Sequence, residues 1–306
     1  MDRIESEDIE IVACRVKGPN KDTEKPCEDA YSTKRFSDGR FTIAVADGLG
    51  SKSFSHVGAE TATSAAVNAL ADYVESLDTD TPIEEDSAAD ALQNAFQKAF
   101  EAVQREAESR DIKVSQLGTT LLAVVGEPGA VAGAAVGDGG IVYTTKTKHE
   151  SLVPPEWEII DFPRNSMTIP LTHDERNRSY RFGFENSYQQ VAVFSDGFEQ
   201  HTWNLEEENN INASFFSSVT KDITESSSSE EASKLLGNAF TNKNFRKFSD
   251  DKTLAIARLQ NNEWPLPLEK TNNSSCSDSS ESKQHEEDIK VRGEHIKYSY
   301  LSQTER

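Results

Sequence analysis

AVADGLGSKSFS, residues 44–55, is the stretch on which the reading of this chain turns. An apolar run with strand character stops at a carboxylate set between small residues. A single Asp-Gly is a common turn signal. Here the junction recurs, in VAVFSDG at 191–197 and in AAVGDGG at 134–140. Three apolar strands that each deliver an Asp-Gly point to a shared use for carboxylates at strand ends. Two further pairs stand beside apolar runs: Glu28 and Asp29 in PCEDAY, and Asp250 and Asp251 in SDDKTLAIA.

The composition narrows what such carboxylates serve. The 306 residues are enough for one large domain or two small ones. A hydrophobic content of 35% is low for a fully packed chain, so part of it is expected to stay unpacked. With 32 basic and 53 acidic residues the formal charge is −21, which would repel nucleic acid and anionic membranes alike. Cys14, Cys27 and Cys276 form no CxxC pair and no disulfide framework, which predicts a reducing, cytoplasmic setting. MDRIESEDIE has no apolar core of a signal peptide. The longest apolar region, 117–137, is interrupted by Glu-Pro-Gly at 127–129 and reads as a two-stranded hairpin rather than a membrane span.

Strands are predicted at 11–16, 41–46, 119–125, 130–136, 141–144, 191–195 and 253–259, and helices at 56–77, 87–110, 212–223 and 227–240. In the second helix Leu92, Phe96, Phe100 and Val103 share one face. In the last, Ser228 and Glu231 have capping-box spacing ahead of a stripe of Ala232, Leu235, Leu236, Ala239 and Phe240. Residues 18–30 read as a polar loop, 78–86 as an acidic linker, and 146–190 as a polar, irregular insert. Beyond 262 the chain turns to Ser, Asn and acid with little to bury, and a disordered tail is expected over 263–306. The domain reading is thus 1–262 as one mixed domain, 263–306 as a tail, with no internal repeat.

If the strands lie in one or two sheets, the strand-end acids can converge. Clustered carboxylates repel one another and partly protonate near neutral pH, and a divalent cation relieves both costs. Oxygen ligands suit Mg²⁺ or Mn²⁺, while the six scattered histidines offer no zinc cluster. A glycine after the Asp allows a tight turn and presents its carbonyl as a further ligand. Two such ions bridged by one carboxylate would activate water for attack on phosphorus.

The ordered motifs resemble those of the metal-dependent protein serine/threonine phosphatases, the PPM or type 2C family, in a form similar to its bacterial and archaeal branch. They are PCEDAY, VADGLG, LGTTLLAVV, AAVGDGG, FSDGFEQ and SDDKTLAIA, spread in order over 11–259. The resemblance implies an α/β sandwich (of α+β type): two packed, mainly antiparallel β-sheets flanked by helix pairs. It implies Mn²⁺ or Mg²⁺, two ions, held by Glu28, Asp29, Asp47, Gly48, Asp138, Asp196 and Asp250. In that scheme Asp47, Asp196 and Asp250 are the catalytic carboxylates, with Asp47 bridging and Asp138 near a third ion. It also implies phosphorylated proteins as partners, namely a cognate Ser/Thr kinase or its substrates.

Three features depart from the family pattern. Leu49 stands where some members carry a His proposed as general acid, and Gln200 stands where some carry another Asp. The phosphate-binding Arg has no clear counterpart, with Arg15, Lys21 and Lys25 all near the right loop. Two further readings therefore stay open: a catalytically weak pseudophosphatase acting as a phosphoprotein- or partner-binding module, and a phosphatase of small phosphoesters.

Overall fold

The computed structural model describes residues 9–19, 21, 24–153, 168–204, 210–241 and 250–260. All of them fall within the compact unit Met1–Pro267. The tail expected over 263–306 lies outside the described residues.

The architecture is two five-stranded antiparallel sheets packed face to face, with helices on both outer faces. One sheet runs β1 (Ile9–Val16), β12 (Lys252–Leu259), β9 (Gln190–Phe194), β6 (Gly140–Thr144), β7 (His149–Val153). The other runs β2 (Ala30–Arg35), β3 (Phe41–Ala46), β4 (Leu121–Glu127), β5 (Ala130–Val136), β8 (Arg181–Glu185). A two-residue pair, β10 (Trp203–Asn204) with β11 (Asn210–Ile211), completes the strands.

The alternation of side chains along each strand builds three apolar layers. In β3, Phe41, Ile43 and Val45 face the other sheet and meet Ile141, Val191, Val193 and Ala255. Ala44 and Ala46, on the opposite face, pack under α1 (Ser55–Ser76) and α2 (Glu85–Ser109). The outer face of the first sheet, with Val12, Phe194 and Ile256, is covered by α3 (Ala213–Thr224) and α4 (Ser229–Phe240). Both faces of β3 and β12 are buried, which is why these strands read as continuous apolar runs.

The helices start where capping chemistry places them. Asn212 accepts from the Phe215 N–H at the head of α3, and Ser228 accepts from the Glu231 N–H at the head of α4. The capping box is only half formed, because the Glu231 carboxylate takes the N–H of Ser227, one residue earlier. In the α4 stripe Ala232, Leu236 and Phe240 are buried, but Leu235 is 43% exposed.

Three expectations need correction. The loop at 18–30 ends in an unpredicted strand, β2, whose AYSTKR pairs antiparallel with β3. The insert at 146–190 is not wholly irregular: it contributes β7 to one sheet and β8 to the other. The acidic linker is shorter than expected, since α2 begins at Glu85. The consecutive strands read from 119 to 144 are all present and divide between the sheets: β4 and β5 form the expected hairpin, and β6 belongs to the other sheet.

Candidate active site

That change of sheet is made at Gly137-Asp138-Gly139. Both glycines have positive φ, 89° and 93°, which L side chains rarely adopt. A Cβ on Gly139 would lie 2.6 Å from the Phe194 carbonyl oxygen. The turn thus carries Asp138 across the edge of the sandwich, between the two sheets.

The other acids arrive at the same edge for topological reasons. Asp47 follows β3 and Asp196 follows β9, while Glu28 and Asp29 precede β2 and Asp250 and Asp251 precede β12. Antiparallel pairing of β2 with β3 and of β12 with β9 brings starts and ends together. Carboxylate oxygens of Asp47, Asp138 and Asp196 all lie within 4.8 Å of one another.

Asp47 is fixed through its backbone. Its N–H donates to Thr120 Oγ1 at 2.9 Å, and its carbonyl accepts from the Thr120 N–H at 2.8 Å and from Thr119 Oγ1 at 2.9 Å. The Gly-Thr-Thr strand start therefore acts as a support, and the Asp47 carboxylate is left to the site. Gly48 lies against Glu28 and Ser55, where a Cβ would come within 2.7 Å of the Glu28 carbonyl oxygen.

Asp29 is fully buried, and its Oδ2 accepts from Ser195 Oγ at 2.6 Å. Its carboxyl is also within hydrogen-bonding reach of that of Asp47. Asp138 Oδ2 accepts from Thr168 Oγ1 at 2.6 Å, so the insert reaches into the site. Glu28 Oε1 accepts from Ser55 Oγ at 3.1 Å. Asp250 is the most exposed of the group, with a side chain 46% accessible and paired to Lys21 at 2.7 Å.

Burial, then mutual repulsion, dominates the electrostatics. Burial and the charges of Asp29 and Asp196 hold the Asp47 carboxyl well above the usual range. Burial and the charges of Asp138 and Asp250 do the same to Asp196. Burial pushes Asp138 up against the hydrogen bond from Thr168, and pushes Asp29 up to about 6.

Two buried carboxylate oxygens, Asp29 Oδ1 and Asp196 Oδ1, have no hydrogen-bond partner among the described residues. Orphaned hard oxygens beside mutually repelling carboxyls fit a divalent cation better than they fit a packed core. An open pocket of about 330 Å³ adjoins the cluster at Asp47, lined by Lys21, Lys25, Pro26, Glu28, Asp47, Gly48, Gly50 and Asp250.

A model of the protein phosphatase 2C family matches residues 20–241. The chain belongs to the protein phosphatase 2C family. It is accordingly a protein serine/threonine phosphatase, as its ordered motifs imply. A bacterial serine phosphatase structure aligns with this phosphatase at 16% identity and TM-score 0.58, over 83% of this chain and 99% of that one. The serine/threonine phosphatase Stp1 from Staphylococcus aureus aligns at 16% identity and TM-score 0.55, over 85% and 99%. PppA, a regulatory component of the type VI secretion system in Pseudomonas aeruginosa, aligns at 17% identity and TM-score 0.53, over 83% and 98%. At these identities the likeness is one of fold. No curated protein matches the phosphatase by sequence.

All seven residues expected at the site thus gather at one edge of the sandwich. Four residues that bind them were not anticipated in that role. Ser195 bonds Asp29, and Thr168 bonds Asp138. Asp251 is fully buried and accepts from the N–H groups of Gly18 and Glu28 at 2.7 and 2.6 Å, tying the Glu28 loop to β12. Lys21 pairs with Glu28, Asp250 and Asp251. Lys21 was one of three basic residues, with Arg15 and Lys25, placed near this loop, and its pairing with these acids was not foreseen. Arg15 instead donates to the Asp29 carbonyl and pairs with Glu60. Gln200 is exposed, and the neighbouring Glu199 takes the Gly139 N–H at 3.3 Å.

Proposed function

We propose that this phosphatase removes phosphate from phosphoserine and phosphothreonine in proteins, and that it depends on two Mn²⁺ or Mg²⁺ ions at the strand-end carboxylates. One observation carries the reading: Asp47, Asp138 and Asp196 converge within 4.8 Å, with orphaned carboxylate oxygens beside them.

Asp47 would be shared between the ions, with Asp196 and Asp250 on one side and Glu28, Asp29 and the Gly48 carbonyl on the other. Asp138, bonded by Thr168, would be the residue to hold a further cation. Bound cations would supply Lewis acidity, lowering the pKa of an attacking water and offsetting charge on the phosphoryl oxygens. The chain's own part is positional. Thr119 and Thr120 hold the Asp47 backbone, Ser195 orients Asp29, and the buried face behind the cluster keeps the carboxyls dry and close. Apolar Leu49 leaves the position after Asp47-Gly48 without a proton donor, so the leaving group must draw its proton from water. Among the described residues no helix is long and apolar enough to cross a membrane. Residues 1–262 are taken as the catalytic domain and 263–306 as a separate tail.

Phosphate release from a phosphothreonine peptide tests the reading. Wild-type protein with Mn²⁺ should release phosphate, EDTA should stop it, and Asp196→Asn should lower kcat/KM by about a thousandfold or more. A folded, Mn²⁺-loaded wild type that releases none would favour the phosphoprotein-binding module. Release from a small phosphoester alone would move the substrate class.

A further inference from the structure

The Lys21 ammonium sits among carboxylates brought in by two separate elements. It lies 3.0 Å from Glu28 Oε2, 2.7 Å from Asp250 Oδ1 and 3.1 Å from Asp251 Oδ2. Glu28 comes from the loop before β2, and the two aspartates from the start of β12. Lys25 lines the same pocket but pairs with none of these acids among the described residues. Three acids at this distance would strongly repel without a cation between them.

We propose that Lys21 is a tethered counter-ion of the metal centre: it closes Glu28 onto Asp250 in the metal-free chain, and a divalent ion must displace it to use those two carboxylates. The inference rests on the metal-centre reading of the same site and adds a competitor to it. A divalent ion carries twice the charge of an ammonium and takes several oxygens at once, so it wins when abundant. At low metal the lysine keeps the site ordered and weakens the ion's hold. Removing its charge should therefore tighten metal binding while loosening the metal-free protein.

The test reads Mn²⁺ binding directly, by the loss of the free-ion EPR signal, on wild type, Lys21→Met, Lys21→Gln and Lys25→Met. Thermal melting in EDTA accompanies it and reports folding. Both Lys21 variants should bind Mn²⁺ about tenfold more tightly or better, and should melt lower than wild type in EDTA. Lys25→Met, which removes a charge from the same pocket but not from the carboxylate trio, should change the affinity less than about threefold. Unchanged or weaker binding in both folded Lys21 variants would overturn the proposal, and so would an equal gain in Lys25→Met. If wild type binds Mn²⁺, Asp196→Asn loses it and Lys21→Met matches wild type, only the lysine inference falls. If no folded variant takes up Mn²⁺, the metal centre falls and the inference with it.

Discussion

Asp29 Oδ1 and Asp196 Oδ1 are buried acceptors with no donor among the described residues, whereas the oxygens of Asp251 are bonded by two backbone N–H groups and Lys21. Adjacent acids of one type thus have different work: Asp251 ties loops together, and the orphaned oxygens fit the proposed cation. The strand-end acids were legible because Asp-Gly after an apolar run is a local pattern. Ser195, Thr168 and Lys21 were not, because each reaches its acid through the fold rather than along the chain. Cys14 gives a titration prediction away from the site. Burial pushes its thiol up to about 12 from 9.0, against a hydrogen bond with the Leu254 backbone. The folded chain holds that proton longer than the unfolded one, so the thiol's contribution is full below about pH 9 and is lost as the pH rises toward 12. Urea denaturation near pH 8 and near pH 10.5 should find stability falling with pH, and Cys14→Ala should flatten the fall by up to about 1.4 kcal/mol per pH unit. An identical slope in the variant would contradict this.

At the scale of elements, the strands that sequence periodicity missed are those that do not look apolar. β2 alternates buried Ala30 with exposed or half-buried Tyr31, Lys34 and Arg35, and owes its place to pairing with β3. β7 and β8 are edge strands with Ser, Glu and Arg in them, so only the neighbouring β6 and β5 make them strands. By contrast β3, β4, β5 and β12, buried on both faces, were readable to within two residues. The connection between α1 and α2 is also tertiary in origin. Arg40, 3% exposed, donates to the carbonyls of Asp78 and Thr81 at 2.8 and 2.6 Å and pairs with Glu127 at 3.3 Å. Arg40→Met should cost about 3 kcal/mol in urea denaturation, because it strips Glu127 of its charge partner and frees the linker carbonyls. A loss under about 1 kcal/mol would mean that α1 and α2 hold the linker unaided.

For the whole molecule, the site exists only because two sheets are stacked. Asp47 and Asp138 extend from strands of one sheet, while Asp196 and Asp250 belong to strands of the other. Neither sheet alone assembles the cluster, so the apolar layer between them, from Ile43 and Val45 to Val193 and Ala255, sets the spacing of the carboxyls. The order of motifs announced the family, yet no local pattern signals that β5 and β6 part company at Asp138, because that depends on two left-handed glycines. Diffraction from crystals grown with Mn²⁺, recorded for manganese anomalous signal, shows whether the strand-end carboxylates hold metal. Anomalous peaks are expected in contact with the carboxylates of Asp47 and Asp196. A well-ordered crystal with manganese in the medium and no peak at that cluster would contradict it.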